Sequence, residues 1–260
     1  MCRLLGYLGQ PVQLEPLIYH SGHSLIEQSY DPREMTAGTM NADGFGVGWY
    51  HPTRDDEPYT YRNTLPVWND VNLPSLSRYV ESGCVLANVR SATAGLATDL
   101  SNCQPFVHSN LLGMHNGFID KFKQTLYRPI RDRLSDTAYQ SIQGLTDSEH
   151  IFALLTDEQQ ISATLTDALH HTLKTVTELA DEHQTTFSGN LIISDGRQLV
   201  ASRFAHGVKT PTLYYLQQDS TFPDSVIIAS EPLFKGNWKA LNDRSLLTVD
   251  HDLKLEVRPV

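Results

Sequence analysis

Short runs in which apolar and β-branched residues dominate, each bounded by Gly, Pro, Asn or Asp, punctuate the first 120 residues. Arg3 to Leu8, Gly44 to Tyr50, Tyr59 to Asn63, Cys84 to Arg90 and Leu111 to His115 are predicted as strands on this pattern. A short helix interrupts them. Pro74 suits a first helical position, and Leu76, Tyr79 and Val80 follow at helical spacing. The period lengthens near residue 146, where Thr146-Asp147-Ser148-Glu149 has the form of a capping box and Ile151, Leu154 and Leu155 follow. A second helix, about Glu158 to Glu182, places Ile161, Leu165, Ala168, Leu169, Val176 and Leu179 on one stripe, with Asp167, Lys174, Glu178 and Asp181 elsewhere. These two helices are expected to pair. After His183 strands return: Asn190 to Ser194 and Gln198 to Phe204 flank the turn signal Asp195-Gly196. Thr212 to Leu216, Ser225 to Ser230, Ser245 to Val249 and Leu253 to Val257 follow. The order strands, helix pair, strands predicts an α+β fold with antiparallel sheets rather than alternating βαβ units. Two facing sheets, each covered by helices on its outer side, would bury this many strands and the amphipathic helices together.

No repeat, low-complexity stretch or linker divides the 260 residues, so a single domain spanning 1–260 is expected. The longest charge run, Arg54-Asp55-Asp56-Glu57, is read as a loop. With 20 basic against 30 acidic side chains, the formal charge of -10 leaves no clustered positive charge for nucleic acid or an anionic membrane surface. No apolar run approaches the ~20 residues that span a bilayer. The N-terminal segment lacks the apolar region of a secretory signal, and a cytoplasmic protein is expected. Cys2, Cys84 and Cys103 are odd in number and lack C-x-x-C spacing, which argues against both a disulfide framework and a zinc knuckle. Walker, H-E-x-x-H and G-x-S-x-G patterns are absent. Gly44-Phe45-Gly46-Val47-Gly48 lacks dinucleotide-binding spacing and reads as a strand packed closely against another backbone.

Cys2 stands apart because of its position. Once Met1 is removed, a thiol and a free α-amine belong to one residue. With ordinary pKa values of roughly 8 for the amine and 8.5 for the thiol, part of the amine is an unprotonated base near neutral pH. That is a self-contained nucleophile and general base. From position alone, Cys2 is equally readable as a small buried residue opening a strand.

The rest of the chain bears on that choice. Met1-Cys2-Arg-Leu-Leu-Gly-Tyr, Asn41-Ala-Asp43-Gly44-Phe-Gly46-Val-Gly48-Trp, Asn88-Val-Arg90-Ser91-Ala92-Thr93, Met114-His115-Asn116-Gly117 and Thr146-Asp147-Ser148-Glu149 resemble, in order, the glutaminase domain of class II glutamine amidotransferases. Pro66-Val-Trp68-Asn69-Asp70-Val-Asn72, Asn102-Cys103-Gln-Pro-Phe106 and Ser230-Glu231-Pro-Leu resemble one branch of it, the amidohydrolases of ergothioneine biosynthesis. The resemblance implies a four-layer αββα sandwich of the N-terminal-nucleophile hydrolase type, a mature chain starting at Cys2, and hydrolysis of the γ-glutamyl amide of γ-glutamyl-hercynylcysteine sulfoxide. It implies Cys2 as nucleophile and its own α-amine as base. Arg90 would hold the α-carboxylate of the glutamyl group and Asp147 its α-ammonium. The Asn116 amide and the Gly117 N–H would form the oxyanion hole. Taken singly, Arg90 also reads as a strand-end surface residue, Asp147 as part of a helix cap, and Asn116-Gly117 as a turn.

One departure is visible: Arg90-Ser91-Ala92-Thr93-Ala94-Gly95 stands where relatives with an attached synthase show Arg-Trp-Ala-Thr-His-Gly. Smaller residues there suit a bulky leaving amine. For a trimethylammonium-bearing leaving group, an aromatic face plus a carboxylate is the expected receptor, with Trp68, Asp70, Tyr50 and Trp49 as candidates. Cys84 and Cys103 are read as packing residues and His115 as a structural neighbour of the oxyanion hole. The expected partner is a small γ-glutamyl substrate, with no metal or organic cofactor; the alternative substrate is free glutamine.

Overall fold

The structure is a computed structural model that describes residues 1–35, 38–51, 53, 57–92 and 98–260. Arg54 to Asp56 of the expected charged loop and Thr93-Ala94-Gly95 lie outside the described residues. The chain opens with β1 (Arg3–Gln13), α1 (Leu14–Ile18) and α2 (Leu25–Tyr30), followed by β2 (Phe45–Trp49) and β3 (Tyr59–Asn63). Then come α3 (Leu73–Tyr79), β4 (Glu81–Val89), β5 (Phe106–His108) and β6 (Leu111–Ile119). The helical middle holds α4 (Tyr127–Arg131), α5 (Asp136–Ser141), α6 (Asp147–Ile161) and α7 (Leu165–Glu182). The strands β7 (Phe187–Ser194), β8 (Leu199–Arg203), β9 (Ala205–His206), β10 (Tyr214–Gln217), β11 (Ser225–Ala229), β12 (Lys239–Ala240), β13 (Ser245–Val249) and β14 (Leu255–Pro259) complete it.

Two antiparallel sheets result, in the orders β12-β10-β11-β1-β4-β2-β3 and β14-β13-β8-β7-β6-β5, with β9 beside β7. Because side chains alternate along a strand, each sheet feeds two apolar layers. On β1, Leu5 and Tyr7 pack with Leu14, Leu17, Leu25 and Leu73 of the three N-terminal helices and their surroundings. Leu4 and Leu8 face the other way, into a layer with Leu112, Met114, Ile192, Leu199 and Leu247 of the second sheet. On the second sheet, Leu191 and Ile193 pack with Leu155 of α6 and Leu169, Leu173 and Val176 of α7. Three apolar layers between four structural ones make an α+β sandwich of αββα type. Gly6 lets the sheets approach: a Cβ there would stand 3.0 Å from Ile192 Cγ2.

Several details differ from the sequence reading; β1 and β6, read as ending at Leu8 and His115, run on to Gln13 and Ile119. Residues 158–161 belong to α6, and the second long helix starts only at Leu165, after Thr164 caps it by accepting from the Asp167 N–H at 3.0 Å. Ile161, expected on the buried stripe, is 82% exposed. Its helix ends there, so the stripe of α7 does not extend to it. The Asp195-Gly196 signal closes a four-residue turn, since Ser194 pairs with Leu199 and Asp195 Oδ1 accepts the N–H groups of Arg197 and Gln198. Asn116 and Gly117 form no turn; they lie inside β6, opposite Asn190 and Gly189 of β7.

The two sheets run their strands so that the far ends of β1 and β7 meet at a cavity lined by Leu8, Tyr50, Cys84, Asp195 and Leu253. The chain start and the first half of β7 therefore share the opposite end of the inter-sheet layer. Among the described residues no helix is long and apolar enough to cross a membrane.

Candidate active site

At that end the inter-sheet layer turns polar. Cys2, half-buried, carries its Sγ 3.9 Å from the Ser91 carbonyl, and its own carbonyl accepts a 2.7 Å hydrogen bond from Arg3 Nε. Burial lowers the pKa of the Met1 α-amine; the charges of Cys2 and Asp43 oppose the shift and that of Arg3 adds to it. Arg90 is no surface residue: it is 3% exposed at the end of β4. Its N–H donates to the Gly44 carbonyl at 2.8 Å, its carbonyl accepts from Asp43 N at 3.0 Å, and its Nη1 donates to the Asp43 carbonyl at 3.0 Å. Asp43 Oδ2 accepts the Ala92 N–H at 2.8 Å, so one aspartate ties the entry of β2 to the exit of β4 beside the thiol. Cys103 lies beside them; burial pushes its thiol pKa up, against the guanidinium charges of Arg90 and Arg62.

The glycine run 44–48 behaves as its spacing implied. A Cβ on Gly46 would collide with the Gln104 carbonyl, so β2 can lie directly on that backbone only with glycine there. Gln104 in turn grips β6. Its Oε1 accepts the His115 N–H at 2.6 Å and its Nε2 donates to the His115 carbonyl at 3.0 Å, extending the pairing of β5 with β6 by a side chain. His115 is buried, and burial lowers its pKa, which favours the neutral ring. Nε2 donates to the Ser188 carbonyl at 2.9 Å, which leaves Nδ1 to accept the Ser148 hydroxyl at 2.9 Å. A Cβ on Gly117 would strike the Ser188 carbonyl.

Asn116 shares the inter-sheet face of β6 with Leu112 and Met114, two residues apart each. Its side chain is fully buried, and neither its amide nitrogen nor its amide oxygen has a partner. Burying a carboxamide without hydrogen bonds costs about 1–3 kcal/mol or more, and a bound ligand is the usual compensation. Asn88 Oδ1, on the corresponding face of β4, is buried and unpartnered too. Opposite Asn116, Asn190 Nδ2 donates to the carbonyls of Pro211 and Thr212 at 3.0 and 3.1 Å. Thr212 Oγ1 donates to the Ser230 carbonyl at 3.0 Å, and Ser230 Oγ accepts the Leu4 N–H at 2.9 Å. Hydrogen bonds thus stitch the two sheets together beside the chain start.

Asp147 occupies the first turn of α6. Its Oδ2 accepts the Ile119 N–H at 2.7 Å and its Oδ1 the Ser148 N–H at 2.8 Å, fixing the helix start to the end of β6. A carboxylate has about four acceptor sites, so capacity remains for a cation. The capping box is half-formed: Thr146 Oγ1 accepts the Glu149 N–H at 3.3 Å, but Glu149 turns to the N–H groups of Gln143 and Gly144.

The leaving-group candidates separate. Asp70 is buried, and its carboxylate accepts from Tyr61 Oη, Asn63 Nδ2, Asn72 N and Leu73 N, which organises residues 61–73 rather than offering a charge to a ligand. Tyr50 lies at the far cavity, its hydroxyl held by the carbonyls of Asn110 and Ser194 and the Leu112 N–H. Trp49, opposite Val85 in β4, sits at that same distal end of its sheet and packs at a tilt against Tyr59, ring centroids 4.9 Å apart. Period-two alternation placed these residues on strands, but strand ends are assigned to one end of a sandwich only by the pairing. Trp68 remains: it is 41% exposed and meets Tyr30 edge-to-face at 6.0 Å. Its segment adjoins the site through Asn63, whose carbonyl accepts from Cys103 Sγ at 3.4 Å. Residues with no role in the sequence reading are Gln104, Ser230 and the buried Arg3–Glu231 pair, visible there only as parts of quoted motifs, and Asn190, visible only as the start of a strand.

A four-layer sandwich whose chain start enters the inter-sheet layer beside the unpartnered Asn116 amide has the αββα architecture that the resemblance to N-terminal-nucleophile hydrolases implies. The comparisons narrow the class. The sequence profile of "Glutamine amidotransferases class-II" matches residues 1–225. The gamma-glutamyl-hercynylcysteine sulfoxide hydrolase of Mycolicibacterium smegmatis is 33% identical over the full length of both chains. The probable glutamine amidotransferase DUG3 of Saccharomyces cerevisiae is 31% identical over 96% of this chain and 82% of that protein. Among solved structures, a glutamine aminotransferase class-II domain protein from Silicibacter pomeroyi superposes with a TM-score of 0.72 at 24% identity, covering 99% of each chain. The allosteric regulatory enzyme of purine biosynthesis gives 0.67 at 17% identity, covering 99% of this chain and 49% of that one. The chain belongs to the class II glutamine amidotransferases and is an enzyme of the amidohydrolase kind.

Proposed function

We propose that the protein hydrolyses the γ-glutamyl amide of γ-glutamyl-hercynylcysteine sulfoxide, through Cys2 freed of Met1, to glutamate and hercynylcysteine sulfoxide. The observation that carries the reading is the fully buried, unpartnered Asn116 amide facing the layer at whose end Cys2 sits. A preorganised donor costs nothing to reorganise when an oxyanion forms beside it. In the proposed reaction the α-amine of Cys2 takes the thiol proton and the thiolate attacks the γ-carbonyl. Asn116 Nδ2 and the Gly117 N–H hold the oxyanion. The protonated amine passes its proton to the departing nitrogen as the C–N bond breaks, leaving a glutamyl thioester, which water cleaves to glutamate and the free thiol. Arg90 is assigned to the α-carboxylate and Asp147 to the α-ammonium. The substrate follows the full-length similarity to hydrolases so named.

The test uses Met-processed protein. Cys2→Ala is expected to bind the conjugate but lose turnover by more than ~10³-fold; undiminished hydrolysis by that variant overturns the mechanism. An extra residue ahead of Cys2 should abolish activity by removing the base. The similarity to a probable glutamine amidotransferase favours a second substrate, free glutamine. Comparing kcat/KM for the two decides between them. Trp68→Ala is expected to raise KM for the conjugate several-fold, on the order of a cation–π contact, while leaving KM for glutamine unchanged.

A further inference from the structure

Behind the chain start lies a buried charge cluster that none of the steps above uses. Glu231 is 1% exposed, yet its carboxylate is fully engaged. Oε1 accepts from Arg3 Nη1 at 2.6 Å and the Glu34 N–H at 3.0 Å, and Oε2 accepts from His23 Nε2 at 2.8 Å and the Arg33 N–H at 2.9 Å. Arg3, also 1% exposed, spends its Nε on the Cys2 carbonyl at 2.7 Å. Its own carbonyl accepts from Asn88 Nδ2 at 3.4 Å. Gln28 Nε2, on α2, binds the carbonyls of both His23 and Glu231.

We propose that Arg3 and Glu231 are positioning residues for the nucleophile: the guanidinium clamps the Cys2 carbonyl, and the carboxylate anchors that guanidinium to the 33–34 backbone. This rests on Cys2 being the nucleophile. The physical reason is the shortness of the chain start. A free N-terminal residue is joined to the fold through one peptide bond only, so without a hold on its carbonyl the amine and thiol would sweep through many orientations. The Arg3 fork fixes that peptide plane with one nitrogen and is itself fixed through another, a division of labour a single ammonium cannot reproduce. Glu231 also holds residues 33–34, which lead into the loop carrying Gly38, whose Cβ position would lie 4.0 Å from the Met1 nitrogen.

The cluster has an electrostatic side. Among the described residues, the charged and titratable groups around the chain start are the Cys2 thiol itself, Asp43 ahead of β2, Arg90 at the end of β4, Cys103, and the Arg3–Glu231–His23 group behind. With its Nε 2.7 Å from the Cys2 carbonyl, the Arg3 guanidinium puts a positive charge beside the amine that Met1 removal frees, which favours the unprotonated form; it acts in the same sense on the Met1 amine, where Asp43 opposes it. Removing the guanidinium should therefore raise the amine's pKa and move the acid limb of the activity profile to higher pH.

The experiment labels the Met-processed enzyme with the diazoketone analogue of glutamine, which alkylates the nucleophile with loss of N2 and is followed by intact mass. Wild type should be labelled once, at Cys2, and Cys2→Ala not at all; labelling of Cys2→Ala would overturn the nucleophile assignment itself. With that control in place, Arg3→Met is expected to lower the maximal labelling rate by about 10- to 100-fold, with half-saturation little changed and the acid limb displaced upward. Arg3→Lys should restore the limb but not the rate. If Arg3→Met alone unfolds, the double variant R3M/E231L, which leaves neither partner as an unpaired buried charge, carries the same expectation, with folding checked by circular dichroism. A maximal rate within twofold of wild type and an unmoved limb in the folded variant would overturn the proposal while leaving Cys2 as nucleophile.

Discussion

Asn116 shows how one residue's meaning depends on its register. As Asn-Gly it is a strong turn signal, but in β6 its side chain points with Met114 into the inter-sheet layer, where nothing pairs it. Asn116→Ala is expected to reduce kcat by about 10²- to 10³-fold, as loss of one oxyanion donor does, with KM changed far less. Steady-state kinetics on the conjugate checks this, and a loss confined to KM would assign Asn116 to ground-state binding instead. Asp147 and Asp70 make the complementary point. Both were candidates for a ligand's cation; Asp70 is enclosed by donors of its own segment, whereas Asp147 retains acceptor capacity at a helix start.

At the scale of elements, the candidate site depends on strands lying closer than side chains normally allow. Gly46 rests on Gln104, Gln104 holds both backbone groups of His115, and His115 precedes Asn116, the proposed oxyanion donor. Gly46→Ala must push β2 off Gln104. A stability loss of about 1–3 kcal/mol, typical of overpacking, is expected together with a fall in kcat, measured by denaturant unfolding and by turnover of the folded fraction. An alanine variant with unchanged kcat would show that the Gln104 contact does not reach the active centre. The two glycines flanking it, Gly44 and Gly48, were legible from the sequence as a close-packed strand. Its partner was not, because Gln104 follows a different part of the chain and meets β2 only through the fold.

Across the whole molecule, buried titratable groups set the response to acid. His150 accepts from Arg131 Nε at 2.8 Å and donates from Nδ1 to the Thr146 carbonyl at 2.7 Å, which locks it neutral; burial pulls its pKa down to about 4. Its folded pKa lies below the unfolded value of 6.5, so the unfolded chain binds the extra proton first. Stability is then complete above about pH 6.5 and declines as pH falls toward 4, by at most about 3 kcal/mol from this group. Glu231 is held at about 2 by its hydrogen bonds and by Arg3, which outweigh its burial. It adds a second loss as pH falls from its ordinary value of 4.5 toward 2. Thermal unfolding should show Tm declining from pH 7 to 5, and His150→Gln should decline less over that interval. A variant that tracks wild type would remove His150 as the cause.

The local pattern of the chain determined the α+β class, most strand positions and a helix cap at Thr146, and the order of its motifs, through their resemblance to the class II glutaminase domain, singled out Cys2, Arg90, Asn116, Gly117 and Asp147 as candidates. These rest on periodicity, turn chemistry and motif order, which are properties of neighbouring residues. The tertiary structure decided which end of the sandwich each residue occupies. It sent Tyr50 and Trp49 to the distal end, enclosed Asp70, and joined Arg3 to Glu231, 228 positions apart. The physical reason is that alternation along a strand tells which face a side chain takes but not which strand lies beside it. Only the pairing of distant strands turns a face into a place, and only there does a buried amide without a partner become visible.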